Sequence, residues 1–215
     1  MSETLLQRNE PATVELPIFP LSSVLFPGGT MALKIFETRY MDMAKACLKN
    51  AQPFGIALIE QGNEVGTPAS PHHIGTIARI DDWDMPDLGV LRVTVKGESR
   101  FKIIEQRTGK NGLIIGIVEM VAADTVSDRV KPESTSGKTS DQLQACAQLL
   151  KMVMSQSGQS AEEVLFADAS WVSFRVTELL PFSSAIKQKM LELTDADMRL
   201  EVLFRFLRDQ QLIRV

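Results

Sequence analysis

Cysteine and histidine are scarce in this 215-residue sequence, two of each, and that scarcity removes whole classes of function. Cys47 and Cys146 lie far apart in apolar helical patterns, where a free thiol behaves as a small hydrophobe, so no structural disulfide is expected. No CxxC occurs, and His72 and His73 are adjacent, without HxxxH spacing or nearby thiols. Three or four ligands at set spacings are therefore lacking, and neither a metal site nor any other cofactor is expected. Nor is there an uninterrupted apolar run of the roughly 18 residues that a membrane span needs. The opening MSETLLQRNE has neither the basic region nor the apolar core of a secretory signal, so the expected location is cytoplasmic, without membrane attachment. Surplus basic charge is missing too. A formal net charge of −4 offers no electrostatic ground for seeking phosphate backbones, and nucleic acid is disfavoured as a partner.

Catalytic strings are equally incomplete. Ser136-Gly137-Lys138-Thr139 resembles the end of a phosphate-binding loop, but the glycine required five residues before Gly137 is replaced by Pro132, which has no amide to offer. Ser184-Ala185-Ile186-Lys187 matches an SxxK acyl-transfer motif without its SDN and KTG companions, and Ser183 or Ser184 reads better as a helix N-cap. Asp81-Asp82-Trp83-Asp84-Met85-Pro86-Asp87 reads as an acidic loop. It lacks the spaced ligands of a calcium loop, and its carboxylates have no reason to sit in unequal environments. A Trp and a Met in such a loop suit contact with a partner, or fold back over a sheet edge. No catalytic residue is assigned.

What the sequence does hold is a proline-braced apolar entry, Leu16 to Gly29 (LPIFPLSSVLFPGG), followed by a strand-like segment and a helix. Pro17, Pro20 and Pro27 exclude a helix and impose an extended path, which Gly28 and Gly29 can then reverse. Strands are expected at Phe54 to Glu60, Ile74 to Asp81, Gly89 to Lys96, Phe101 to Gln106 and Leu113 to Val121, with a hairpin turn at VKGESR around Gly97. One helix, Glu37 to Leu48, interrupts them. Residues 122–140 turn polar and read as a linker or mobile loop. Beyond it Leu143, Cys146, Leu150, Val153 and Met154 form one helical stripe and Leu200, Leu203, Phe204 and Leu207 another. Ser160 with Glu163 suggests a capping box, and Pro181 separates two further helices.

Three blocks, LPIFPLSSVLFPGGTMALKIFETRY (Leu16 to Tyr40), IGTIARI (Ile74 to Ile80) and LRVTVKGESRFKI (Leu91 to Ile103), agree in order, spacing and composition with the N-terminal, substrate-binding domain of Lon proteases. LLPFSSAIKQKMLEL (Leu179 to Leu193) and the following Asp197-Met198-Arg199-Leu200 are similar to the helical part of stand-alone members, which lack the ATPase and protease domains. The resemblance implies an α+β fold: a mostly antiparallel, PUA-like β pseudo-barrel with one helix, then a C-terminal α-helical bundle. The expected organisation is a polar tail over 1–13, the β-rich domain over 14–121, the connector over 122–140 and the bundle over 141–215.

The same resemblance implies a non-catalytic protein that recognises unfolded or flexible polypeptides as an adaptor or chaperone-like factor, alone or beside a protease partner. An exposed strand edge or apolar groove would supply the binding, and the cleft between the lobes is the default pocket. Phe36, Tyr40, Trp83 and Met85 are the candidate peptide-binding residues, being large side chains on or beside expected loops and helix starts. A two-lobed body with apolar edges could also form a homodimer. The alternative is a PUA-like RNA-binding module, for which Lys96, Arg100, Lys102, Arg107 and Lys110 would make a local basic strip.

Overall fold

In a computed structural model, residues 13–124 and 136–213 are described. Six strands, β1 (Thr13–Leu21), β2 (Thr30–Ile35), β3 (Phe54–Gln61), β4 (Ser70–Asp87), β5 (Val90–Thr108) and β6 (Ile114–Met120), precede most of the helix, with α1 (Thr38–Asn50) between β2 and β3. The sheet runs β2-β5-β4-β3-β1-β6, and β5 also pairs with β6. That second pairing closes the ring, leaving β2 attached to β5 on its outside. All pairings are antiparallel except β1 with β3.

Two prolines stand inside β1 without breaking the ladder, because the strand changes partner along its length. Thr13 to Ile18 face β6, and Ile18 to Leu21 face β3. Pro17 and Pro20 thus each lie where only one side is paired, the one setting in which a strand spares an amide. Phe26-Pro27-Gly28-Gly29 then turns the chain: the Gly29 amide donates to the Phe26 carbonyl at 2.9 Å, and Gly28 has φ +72°, as a proline–glycine turn requires.

Gly97 is not a hairpin tip. β5 continues through it, with a register shift against β4 between Gly97 and Arg100, and the expected two strands are one of 19 residues. A Cβ at Gly97 would stand 2.3 Å from the Phe26 carbonyl oxygen, so the glycine serves close approach of two backbones rather than a reversal. The acidic segment after Ile80 is likewise strand, the far half of β4; it pairs with the start of β5 and turns at Gly89, φ +83°.

The helices after the barrel are α2 (Ser136–Gln156), a short 3-10 turn (Glu163–Ala167), α3 (Ala169–Leu179), α4 (Ser184–Glu192) and α5 (Ala196–Asp209). Ser183 caps α4 by accepting from the Ile186 amide, while Asp168 and Asp195 cap α3 and α5. The Ser160–Glu163 box does not form: Glu162 precedes the 3-10 turn and makes no side-chain cap. Residues 1–12 of the expected tail and 125–135 of the expected connector lie outside the described residues. The connector's two ends are ordered parts of the fold, since α2 begins at Ser136 and the Asp124 side chain is buried.

Asp124 has the most consequential environment at the junction of barrel and helices. Its carboxylate takes Arg100 of β5 on one oxygen and Arg199 of α5 on the other, with the Ser170 hydroxyl donating as well. Both guanidiniums also donate to the Leu193 carbonyl and lie over the Phe174 ring. Burial pulls the Arg100 guanidinium below its ordinary value, and Asp124 opposes that shift. The cleft expected between the lobes is filled here by this network and by Val24, Phe26 and Leu58 packing into the helical core.

Candidate functional site

Among the described residues β2 is an edge of the sheet, and the parity of its ladder decides what that edge offers. Gly28 N–H donates to the Gly97 carbonyl and Gly97 N–H to the Gly29 carbonyl, both at 2.8 Å. Two glycines opposite one residue, the first in the left-handed region, form a β-bulge that starts the β2–β5 pairing. Counting on from Gly29, alternate residues Met31, Leu33 and Ile35 turn their amides and carbonyls toward Val95, Val93 and Leu91. Thr30, Ala32 and Lys34 therefore turn theirs outward, and all three are exposed.

The two faces of this edge differ. On the inner face Met31 and Leu33 pack against the barrel core. On the outer face the register aligns Ala32 with Thr94 and Asp82, and Lys34 with Arg92 and Asp84. A concavity of about 320 Å³ opens on the inner side, floored by Phe19, Leu21, Leu33 and Tyr40 and rimmed by Phe36, Glu37, Glu64 and Val65. A second of about 290 Å³ opens on the other, lined by Asp82, Trp83, Asp84, Arg92 and Thr94. Both share Ala32, Leu33 and Lys34, so the strand edge is the ridge between them.

The four candidate residues are distributed around that ridge unequally. Phe36 and Trp83 are 53% and 55% exposed; Phe36 lines the inner concavity and Trp83 the outer one, although the register Trp83–Val93–Leu33 turns the Trp83 side chain to the inner face, whereas Met85, 44% exposed, stands farther along the hairpin and lines neither. Tyr40 is 3% exposed, its ring stacked on Phe19 at 4.0 Å in the core, and it lines the inner concavity. It contributes to the site from beneath. Burial pushes its hydroxyl up, Arg39 pulls it back, and Glu37 and Glu64 push it further up, so the phenol stays neutral. Val65 and the edge of β2 were not among the expected site residues; the alternation in TMALKI was the edge's one sequence signal, and Val65 had none.

Other expected chemistry is dispersed. Ser184 donates to the Ser22 carbonyl and Lys187 to the Glu178 carbonyl, so the SxxK pair is engaged separately. Arg100 of the proposed basic strip is buried against Asp124, and Arg107 pairs with Glu15. Cys47 and Cys146 are free and buried in separate cores. Among the described residues no group of His, Cys, Asp and Glu is placed to hold a metal, and no helix is long and apolar enough to cross a membrane.

A family model for the ATP-dependent protease La (LON) substrate-binding domain matches residues 15–209. The chain belongs to the LON substrate-binding domain family. Among solved structures, a Lon N-terminal domain protein from Xanthomonas campestris is similar with a TM-score of 0.69 and 34% identity, over 90% of this chain and 98% of that one. The N-terminal domain of a Mycobacterium avium complex Lon protease shares the fold, with a TM-score of 0.63 at 19% identity over 91% and 99% of the two chains. A Lon protease from Anaeromyxobacter dehalogenans (strain 2CP-C) is 26% identical over 62% of this chain, which spans 16% of that relative's length. Protein cereblon from Gallus gallus is 26% identical over 56% of this chain and 26% of its own length. LON membership accounts for the blocks around Leu16, Ile74 and Leu91, and it supports a substrate-binding role.

Proposed function

We propose that this LON-type chain binds unfolded or flexible polypeptide by adding an extended segment to the free edge of β2, without chemically altering it. The observation that carries this reading is the outward-facing backbone of Thr30, Ala32 and Lys34 lying between two concavities. A paired strand sends alternate side chains to opposite faces, so one bound segment would fill both hollows in turn. Backbone pairing reads no side chain, which suits clients that share only an absence of fold. The chain would act as a cytoplasmic adaptor or chaperone-like factor, holding clients for itself or for a protease carried elsewhere.

Ala32→Pro tests this directly. Its missing amide points away from β5, so the β2–β5 ladder survives, and a proline is tolerated on an edge. Binding of a fluorescent unfolded client, read by anisotropy, is expected to weaken at least tenfold while the melting temperature holds. Unchanged binding would remove β2 from the reading.

A further inference from the structure

The inner concavity differs from a plain apolar hollow at its back. Tyr40 is buried yet lines the concavity, its hydroxyl makes no hydrogen bond among the described residues, and Glu37 and Glu64 lie close enough to push that hydroxyl up. Two carboxylates stand at the same end. Glu37 is already paired with Arg39. Glu64 accepts from the Ser22 amide and hydroxyl on a single oxygen and has no cation within salt-bridge distance among the described residues. A buried phenol at the floor and an exposed carboxylate without an ion-pair partner among the described residues, on the rim, thus border the same concavity, with Phe19, Leu33 and Phe36 as its apolar lining.

We infer that this concavity is a subsite for one lysine or arginine side chain of the bound segment, at the position opposite Leu33. The long methylene stem would lie along the apolar walls, as such stems do on apolar surface. Its cationic head would donate to the Tyr40 hydroxyl and the Glu64 carboxylate. Residues opposite Ala32 and Lys34 fall on the other face, where Lys34 disfavours a second cation. The class of client is therefore an extended segment with a basic residue at the position opposite Leu33.

This inference rests on the β2 reading, and the experiment separates the two. Three labelled ten-residue peptides, identical apart from lysine, methionine or glutamate at one central position in an uncharged, alternating background, are titrated against the whole protein. Lysine is expected to bind about tenfold more tightly than methionine, with glutamate weakest, and added salt should narrow the gap. Tyr40→Phe, which keeps the ring stacked on Phe19, and Glu64→Gln, which keeps an acceptor for Ser22, should each narrow the ratio between lysine and methionine affinities toward one, and a ratio that neither variant moves overturns the subsite. Equal affinity for lysine and methionine overturns the subsite and leaves edge binding intact. Failure of all three peptides to bind, or a dimer by sedimentation that Ala32→Pro converts to monomer, overturns both.

Discussion

The barrel and the helices solve the problem of burial differently. Two apolar clusters inside the barrel are made wholly of buried residues between Leu16 and Val118. The helical cluster, by contrast, is completed by Val24, Phe26 and Leu58 from the barrel side, and it meets the barrel through buried charge, with Arg100, Asp124 and Arg199 in one network. Around the Pro27 turn the division passes through neighbouring residues: Leu25 enters a barrel cluster while Val24 and Phe26 enter the helical one. The two barrel clusters draw on no residue of the later helices, whereas the helical cluster draws on residues from the barrel side.

Breaking the charge network should expose that dependence most strongly. Asp124→Ala leaves two buried guanidiniums without their carboxylate, a change that costs about 3–5 kcal/mol. The chain has two tryptophans, Trp83 on the barrel hairpin and Trp171 in α3. In a Trp83→Phe background, Trp171 fluorescence should report helical melting at lower denaturant than the circular dichroism of the barrel strands. Coincident transitions would mean that the two regions share one cooperative unit and that the asymmetry is only geometric.

Gly97→Ala should strike both regions together, because the Cβ meets the Phe26 carbonyl and Phe26 belongs to the helical core. A loss of about 1–3 kcal/mol is expected, with both reporters moving in parallel. If only the barrel signal shifts, the Pro27 turn does not couple the two.

The combined change Trp83→Ala and Met85→Ala sharpens the contrast between holding the fold and presenting a surface. Both side chains are exposed, so stability should stay within about 0.5 kcal/mol per residue, while client affinity falls several-fold through Trp83. A loss of stability without loss of binding would return the hairpin to the fold.

The smallest effect is chemical. Burial in the helical core pushes the Cys146 thiol up to about 11 from 9.0, so a thiol reagent at pH 8 should reach it only as fast as the helices open. The unfolded chain ionises this thiol first, so its contribution to stability is complete below pH 9.0 and is lost as pH rises toward about 11. Cys146→Ala should flatten that part of the pH profile of the denaturation midpoint.

Much of this architecture was legible from local chemistry. Prolines at 17, 20 and 27, β-branched runs and helical stripes act within a few residues, and they marked β1, β3, β6, α1 and the later helices to within a few positions. What failed were readings that depended on a distant partner. Gly97 carries the sequence signs of a turn, and only the Phe26 backbone above it shows why a continuing strand needs a glycine there. Asp124 sits in a polar run that resembles any connector, and only the convergence of residues 100 and 199 makes it a buried anion. Of the site, Phe36 and Trp83 were visible as large residues near element ends. Tyr40 was not separable from them, because whether a ring at a helix start is buried depends on Phe19 from another strand.

By itself, the sequence determined the two-part order of strands then helices, the proline-braced entry and the family, since each rests on side-chain type and spacing along the chain. Tertiary structure alone decided that β2 would be an open edge, that two hollows would flank it and that three charges would be buried together. Those features exist only where segments remote in sequence meet, because which strand lacks a neighbour and which charge loses its water are properties of the assembled sheet.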